Sequence, residues 1–405
     1  MSRTLQLLMA LLVGWSLLLG PMVPAVEAAP SGPPIRIGST LALTGPVAAT
    51  ALVGKLVGEI YIDQLNRKNG LLGRPVEWVV LDDQSKPDLT RSLYERLITV
   101  DKVDLLMAPY GTAAILSAMA VAQRYQKVLI SATFGLPQLS TYEMHFAAFS
   151  PGLDFDKFVP GMVFDALAAT GKPPKTIAIV TSKFPSSQLV SAGAREVAAQ
   201  RGINVVLYLE YEFGSRDFTP IAARIKAANP DLLWVGALGV DGNLLLDALK
   251  KIDYTPRGHF YVFPAPGPFQ QNPDMKFALA IGAFEEHPPF TDNPVAAEFV
   301  KAYHDKATKA GLPSQNVEMQ SAGWYVGWQV QEAAVTATRS LDDKVMAQWL
   351  KTNRMNSIIG ERRFDGPQNF APSDFKLMQL QEGRRVIVWP KEWAAPGARV
   401  IYPRP

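Results

Sequence analysis

Cysteine is absent from the 405 residues of this chain, and with it go disulfides, thiolate zinc sites, iron–sulfur ligation and thiol nucleophiles. Histidine is nearly as scarce. His145, His259, His287 and His304 are widely scattered and never stand at HExxH or HxH spacing, so they read as surface or satisfied histidines, not as a metal centre. A strong charge of one sign is missing too: 40 Lys plus Arg against 37 Asp plus Glu leave a formal +3 with no basic or acidic run, which is too weak a field for a nucleic-acid partner. The loops of group-transfer enzymes also fail to appear. Gly54-Lys55 is followed by Leu56 and lacks the earlier glycine of a P-loop, no G-x-G-x-x-G follows the first strand, and no G-x-S-x-G elbow occurs. No acid, base or metal set stands at a recognisable spacing, so the expectation is a protein without cofactor that is not an enzyme; a secreted enzyme on the same scaffold is kept as an alternative.

What the sequence does have is length and apolar content. With 48% hydrophobic and 19% charged residues it is long enough for two domains with proper cores. Residues 1–28 read as a secretion signal: Arg3 supplies a positive charge, Leu5 to Leu19 is nearly unbroken apolar sequence, and Gly20-Pro21 and Pro24 then break the helix. The apolar stretch is shorter than the ~20 residues of a bilayer span. Cleavage is expected after Ala28, or else after Ala25, and without a nearby cysteine there is no lipid anchor.

Beyond residue 30 strand and helix patterns alternate. Ile35 to Leu43 alternates like a strand, and Val53, Val57, Tyr61 and Leu65 then recur at helical spacing. Pro75–Asp82, Asp104–Pro109 and Val128–Ser131 read as further strands, with Pro87 opening a helix that carries Leu89, Leu93 and Leu97, and with Thr112–Tyr125 as the next helix. After Ser150-Pro151-Gly152 the alternation repeats: strands at Thr176–Thr181, Ile203–Tyr211, Asp231–Gly236 and His259–Phe263, helices at Gln188–Arg201, Phe218–Ala228 and Gly242–Ile252. Three helical patterns follow at Pro294–Ala310, Val317–Arg339 and Asp342–Thr352, then a hairpin of Phe375–Leu380 and Arg385–Trp389. The fold class is therefore α/β, with two doubly wound parallel-sheet lobes facing a cleft at the carboxyl ends of their strands.

Two strand ends on the first lobe draw attention. Gly111-Thr112 stands where a strand passes into a helix, so backbone N–H groups and a hydroxyl meet an incoming anion there. Ser131-Ala132-Thr133-Phe134-Gly135 follows the next strand in the same way. Together they form a candidate carboxylate cradle, and the same residues serve equally well as simple helix caps. Asp82-Asp83 read as solvated strand-end charges, since neighbouring side chains on an extended segment point to opposite faces.

Leu43-Thr44-Gly45-Pro46, Asn69-Gly70-Leu71-Leu72-Gly73, Asp82-Asp83, Tyr110-Gly111-Thr112, Leu129-Ile130-Ser131 with Pro137, Ile177-Ala178-Ile179-Val180, Tyr325-Val326-Gly327-Trp328-Gln329 and Phe364-Asp365-Gly366 occur in an order and spacing that resembles the leucine/isoleucine/valine-type periplasmic binding proteins, the extracytoplasmic receptors of ABC importers. The resemblance implies two α/β lobes joined by three hinge crossings near Ser150, Glu286 and Ser357: one lobe of about 35–150 plus 286–357, the other of about 151–285 plus 358–405. It also implies a monomer in the periplasm that captures a small amino acid or other carboxylate by hinge closure and hands it to membrane permease subunits; the same module coupled to signalling as a sensor is the alternative.

By the same resemblance a hydroxyl at Thr112 and groups around Thr133 and Gly135 hold the ligand carboxylate, although Thr133 stands where the family often has Ala and Gly135 where it often has Thr. On the second lobe an amino-acid binder presents an acid at the position of Ala265, and aromatics at those of Leu238 and Ser186. The loss of the acid implies a ligand that lacks an ammonium group, because burying that charge unpaired costs several kcal/mol. Tyr110, Phe134, Phe184 and Phe263 are the candidates to cover its apolar body, each serving equally well as lobe core, and Asp241 or Glu212 the acids able to rescue an ammonium contact.

Overall fold

The computed structural model describes residues 29–312 and 315–405; the signal segment lies outside them. In the first lobe β1 (Ile35–Leu41) pairs in parallel with β2 (Val76–Asp82) on one side and β3 (Leu105–Leu106) on the other. A single Met107–Ile130 bridge links β3 to β4 (Leu129–Ser131), which pairs in parallel with β5 (His145–Ala147), so the strand order is 2-1-3-4-5. Ile35, Ile37 and Leu41 on one face and Thr40 on the other have no exposed surface, as expected of a strand buried on both faces. The covering helices are α1 (Ala48–Arg67), α2 (Pro87–Thr99) and α3 (Thr112–Tyr125).

The second lobe begins with α4 (Phe155–Ala168) and continues β6 (Thr176–Ser182), α5 (Pro185–Gln200), β7 (Asn204–Tyr211), α6 (Thr219–Ala228), β8 (Leu232–Gly239), α7 (Asp241–Lys251), β9 (His259–Pro264), α8 (Pro266–Gln271) and β10 (Leu279–Gly282). Its parallel strands run in the order 7-6-8-9-10, the same 2-1-3-4-5 winding as the first lobe. Such an order leaves a crevice beside the first strand of each sheet, at its carboxyl end.

The chain then returns to the first lobe with α9 (Pro294–Lys309), α10 (Met319–Thr338) and α11 (Asp343–Thr352). Tyr61 and Trp78 meet Tyr325 and Trp328 there, with ring centroids 4.9 to 6.1 Å apart. A short hairpin of β11 (Arg354–Ser357) and β12 (Gly360–Arg363) follows, and β13 (Lys376–Gln381) and β14 (Arg384–Trp389) finally join the second sheet antiparallel beside β10.

Several expectations are corrected. Beyond Ser357 the chain still touches the first lobe: Ile358 N–H donates to Gln329 Oε1 at 3.0 Å, Phe364 packs on Phe146, and Asn369 Nδ2 donates to the Glu143 and His145 carbonyls at 3.0 and 2.9 Å. Residues 358–370 thus stay on the first lobe. Asp83 is not solvated; it is buried, accepts from the Thr40 hydroxyl at 2.6 Å and from Ser85 N–H at 3.0 Å, and burial raises its pKa. On α2 the buried face is Thr90, Tyr94 and Leu97, while Leu89 and Leu93 lie half-buried at its flank.

The crossings are fastened to one another. Ser150 N–H donates to Asp374 Oδ2 at 2.7 Å, Asp374 N–H returns to the Ser150 carbonyl at 2.8 Å, and Arg362 Nη2 grips Asp374 Oδ1 at 2.9 Å. At the second crossing Arg385 of β14 lies 3.3 Å from Glu285 and donates to the Asn316 carbonyl at 3.4 Å. Burial pushes the Glu285 carboxyl well above its ordinary range against the pull of Arg385.

Candidate functional site

The strand ends of both lobes converge on one cavity. Tyr110, Gly111 and Thr112 follow β3, Thr133 and Gly135 follow β4, Phe184 follows β6, and Leu238 and Phe263 belong to the last turns of β8 and β9; all eight line it, together with Pro109, Ile115, Ala132 and Ser186. It encloses about 30 Å³, room for a water or two, so the lobes stand closed on each other. The first lobe's β1–α1 loop also reaches across: the Pro46 carbonyl lies 3.1 Å from where a Cβ on Gly239 would be.

Two of the residues expected from sequence stay outside the cavity. Phe134 has no exposed surface and turns its ring edge-on to His145, centroids 5.1 Å apart. Ala265 is equally buried and donates its N–H to the Gly239 carbonyl at 2.8 Å, capping α8 from within the second lobe.

Gly111 carries the turn into α3. Its φ of +92° favours glycine, and Ile115 N–H is the one that bonds the Gly111 carbonyl, at 2.9 Å. The N–H groups of the first turn before it have no acceptor within the helix, and the helix dipole puts partial positive charge at that end. Thr133 Oγ1 is shielded from solvent and has no hydrogen-bond partner. The loop that holds Thr133 and Gly135 is bolted from behind by His145, whose Nε2 lies 3.0 Å from Ser131 Oγ and whose Nδ1 lies 2.7 Å from Ser140 Oγ. Burial pushes the His145 imidazole down to about 3, so it is neutral, with one nitrogen donating and the other accepting.

None of the described residues lining the cavity is charged. Glu212 points to solvent and pairs with Lys183. Asp241 is buried at the start of α7 but does not line the cavity; burial pushes its carboxyl up to about 6, opposed by Tyr211, the Gly214 N–H and Arg216.

The sequence profile of the periplasmic binding protein family matches residues 34–385. The chain belongs to this family. A Leu/Ile/Val-binding protein of Rhizobium johnstonii is 25% identical over 87% of this chain and 93% of its own length. Among solved structures, a leucine binding protein of Thermotoga maritima superposes with a TM-score of 0.74 at 19% identity, covering 87% of this chain and 97% of that one. An ABC-transporter solute binding protein of R. palustris in complex with benzoate gives 0.76 at 17% identity, covering 91% and 99%. The protein is thus a periplasmic binding protein of the Leu/Ile/Val type, with two α/β lobes and three crossings.

In this binding protein the four lining residues that sequence reasoning did not select carry different signals. Ile115 is three residues after Thr112 and so shares its helix face; Pro109 and Ala132 flank selected residues in the chain. Ser186 was named through the resemblance, as standing where the family presents an aromatic to the ligand, but it was not selected because a serine in that place is not the expected residue type.

Proposed function

We propose that this protein is the extracytoplasmic receptor of an ABC importer, and that it captures a small carboxylate without an ammonium group by closing its lobes around it. One observation carries the ligand reading: the cavity offers hydroxyls and the N-terminal turn of α3, but no acid to pair with an ammonium. The carboxylate then rests against Thr112 and Thr133, with the dipole of α3 behind them. Tyr110, Phe184, Leu238 and Phe263 cover the apolar body. The benzoate complex of the R. palustris relative is consistent with such a ligand.

Entry requires the lobes to part, since the closed cavity is far smaller than any such acid. A ligand touching both walls then favours, by its differential affinity, a closed form wide enough to hold it and so less tight than this one. We place the crossings at about 150, 286 and 371–375, giving a first lobe of about 35–150 plus 286–370 and a second of about 151–285 plus 375–405. Residues 1–28 direct secretion to the periplasm and are removed after Ala28, and the mature monomer presents its closed form to the permease.

A second reading, an amino-acid ligand, draws on Asp241, whose Oδ2 is buried without a hydrogen-bond partner. A thermal-shift screen separates the two. Amino acids, their 2-oxo analogues, benzoate and short aliphatic acids are each added to the purified protein; a ligand at a hundredfold over its Kd adds about 2.7 kcal/mol of stability. Stabilisation by acids that lack an ammonium is the expected result. Stabilisation by amino acids alone would refute it.

A further inference from the structure

A second cavity opens on the second lobe and shares no residue with the one between the lobes. It encloses about 540 Å³ between α4, the start of β13 and the turn that follows β14, a volume in the range that small organic ligands occupy. Its walls are rich in large apolar side chains: Phe158 and Met162 of α4, Phe375 just before β13, and Trp389 and Trp393 at the end of β14 and beyond it. Phe158, Trp389 and Trp393 are only half-buried, so ring surface remains there for a further group to cover.

Lys376 brings a positive charge into this apolar setting. Its Nζ stands 4.3 Å from the centre of the Trp393 ring and 5.8 Å from that of Phe290, and it donates to the Asp374 carbonyl at 2.8 Å. The acids nearby are engaged elsewhere or stand in solvent. Arg362 and the Ser150 N–H hold the Asp374 carboxylate, and Arg201 pairs with Asp165; Asp154 and Glu392 line the cavity but are exposed, where water and salt screen them. Lys157, the other cation of the lining, is paired with Glu196 and Asp156. Burial pushes the Lys376 ammonium down to about 8, against the pull of Asp374 and Glu392 and with Arg362 acting in the same direction as burial. A charge withdrawn from water in this way is short of a counter-ion.

We infer that this cavity is a second ligand site, which takes an amphipathic organic anion: the anion pairs with Lys376, and a flat apolar body lies against Trp389, Trp393 and Phe158. Both halves of that ligand answer a need of the wall, a counter-ion for the lysine and cover for the rings. A cation of the same shape meets the charge of Lys376, which already holds the cationic place over Trp393, and a neutral ring leaves that lysine unpaired. The inference is independent of what the cleft between the lobes binds.

The test is calorimetry on the purified Thr112→Ala/Thr133→Ala protein, whose cleft lacks its two hydroxyls, with 2-naphthoate as the probe and 2-naphthylmethylammonium and 2-naphthylmethanol as its cationic and neutral counterparts. Naphthoate should bind, and each counterpart at least about tenfold more weakly, the size of effect that a lost contact to a charged group produces. Adding Lys376→Met, which keeps an unbranched side chain over Trp393, should raise the Kd for naphthoate about tenfold with the melting temperature held, whereas Lys376→Arg keeps the charge and should stay within about threefold. Where Lys376→Met fails to fold, Trp389→Ala reads the same site from its apolar wall and should also cost about tenfold. No binding of naphthoate, equal binding of the cation, or a Kd that the folded variant leaves within about twofold would overturn the assignment.

Discussion

The first lobe meets the cavity with Thr112, Thr133 and Gly135, whereas the second meets it with Phe184, Leu238, Phe263 and the single hydroxyl of Ser186. Both walls are made the same way, from the carboxyl ends of parallel strands wound in the same order and the segments that follow them. The fold accordingly explains why there is a cleft, and residue type explains what each side of it does. In our account the first lobe reads a charged head, and the second, together with Tyr110 of the first, covers an apolar body.

The largest expected effect comes from stripping the first wall of its character. Thr112→Ala with Thr133→Ala should raise the Kd for benzoate about a hundredfold, from two lost hydrogen bonds to a charged group; because Thr133 Oγ1 has no partner in the protein, the melting temperature should scarcely move. An unchanged Kd by calorimetry would remove the proposed division between walls. Next comes a control away from both walls. Arg362→Ala leaves Asp374 half-buried without its cation, so chemical denaturation should show a loss of about 2 kcal/mol, with affinity altered less than threefold.

Phe184→Ala sharpens the comparison from the other side. The ring packs on Phe213 with centroids 5.0 Å apart and borders the cavity, so benzoate should lose about tenfold in affinity while propionate, which has no ring to cover, should not. Equal losses for both acids would mean that the Phe184 ring does not cover the ligand's apolar body.

The smallest effect concerns Asp241. Its folded pKa is raised to about 6 by burial, above the ordinary value, so the neutral form favours folding: the contribution is fully present below about pH 4 and is lost as pH rises through 6. Asp241→Asn lacks this loss. Its melting temperature should gain on wild type between pH 5 and pH 7 by the equivalent of about 1 kcal/mol, and a constant difference across that range would show that Asp241 is not the titrating group.

The same division governs what could be read from sequence. α3 spans Thr112–Tyr125 as read, because a glycine turn precedes a long apolar-periodic run. By contrast α4 went unread: Pro160 and Gly161 stand inside it and mask its period. β5 and β10 have three and four residues, too few for alternation to show. Asp83 was misjudged because its neighbour Thr40 lies on another strand, and strand pairing is invisible to local pattern. The contacts of residues 358–370 with the first lobe were hidden for the same reason, since the bonds of Asn369 to Glu143 and to His145 of β5 span more than two hundred residues.

At the site, what was legible came from loops after strands, where backbone position alone nominates residues; eight of the ten nominated line the cavity. Phe134 was nominated but lies outside the cavity by one side-chain direction, turned inward onto His145. Ala265 lies inside the second lobe at the cap of α8. Ser186 was named at a ligand-facing position of the family but not nominated, because it replaces an aromatic there.

The central claim, a head group without an ammonium, is tested most directly by titrating leucine and 4-methylpentanoate into the same preparation by calorimetry. The two share a body and a carboxylate and differ in the ammonium alone. Our account predicts that 4-methylpentanoate binds and that leucine binds at least about tenfold more weakly, since its buried cation finds no partner. Tight binding of leucine, with none of 4-methylpentanoate, would contradict it.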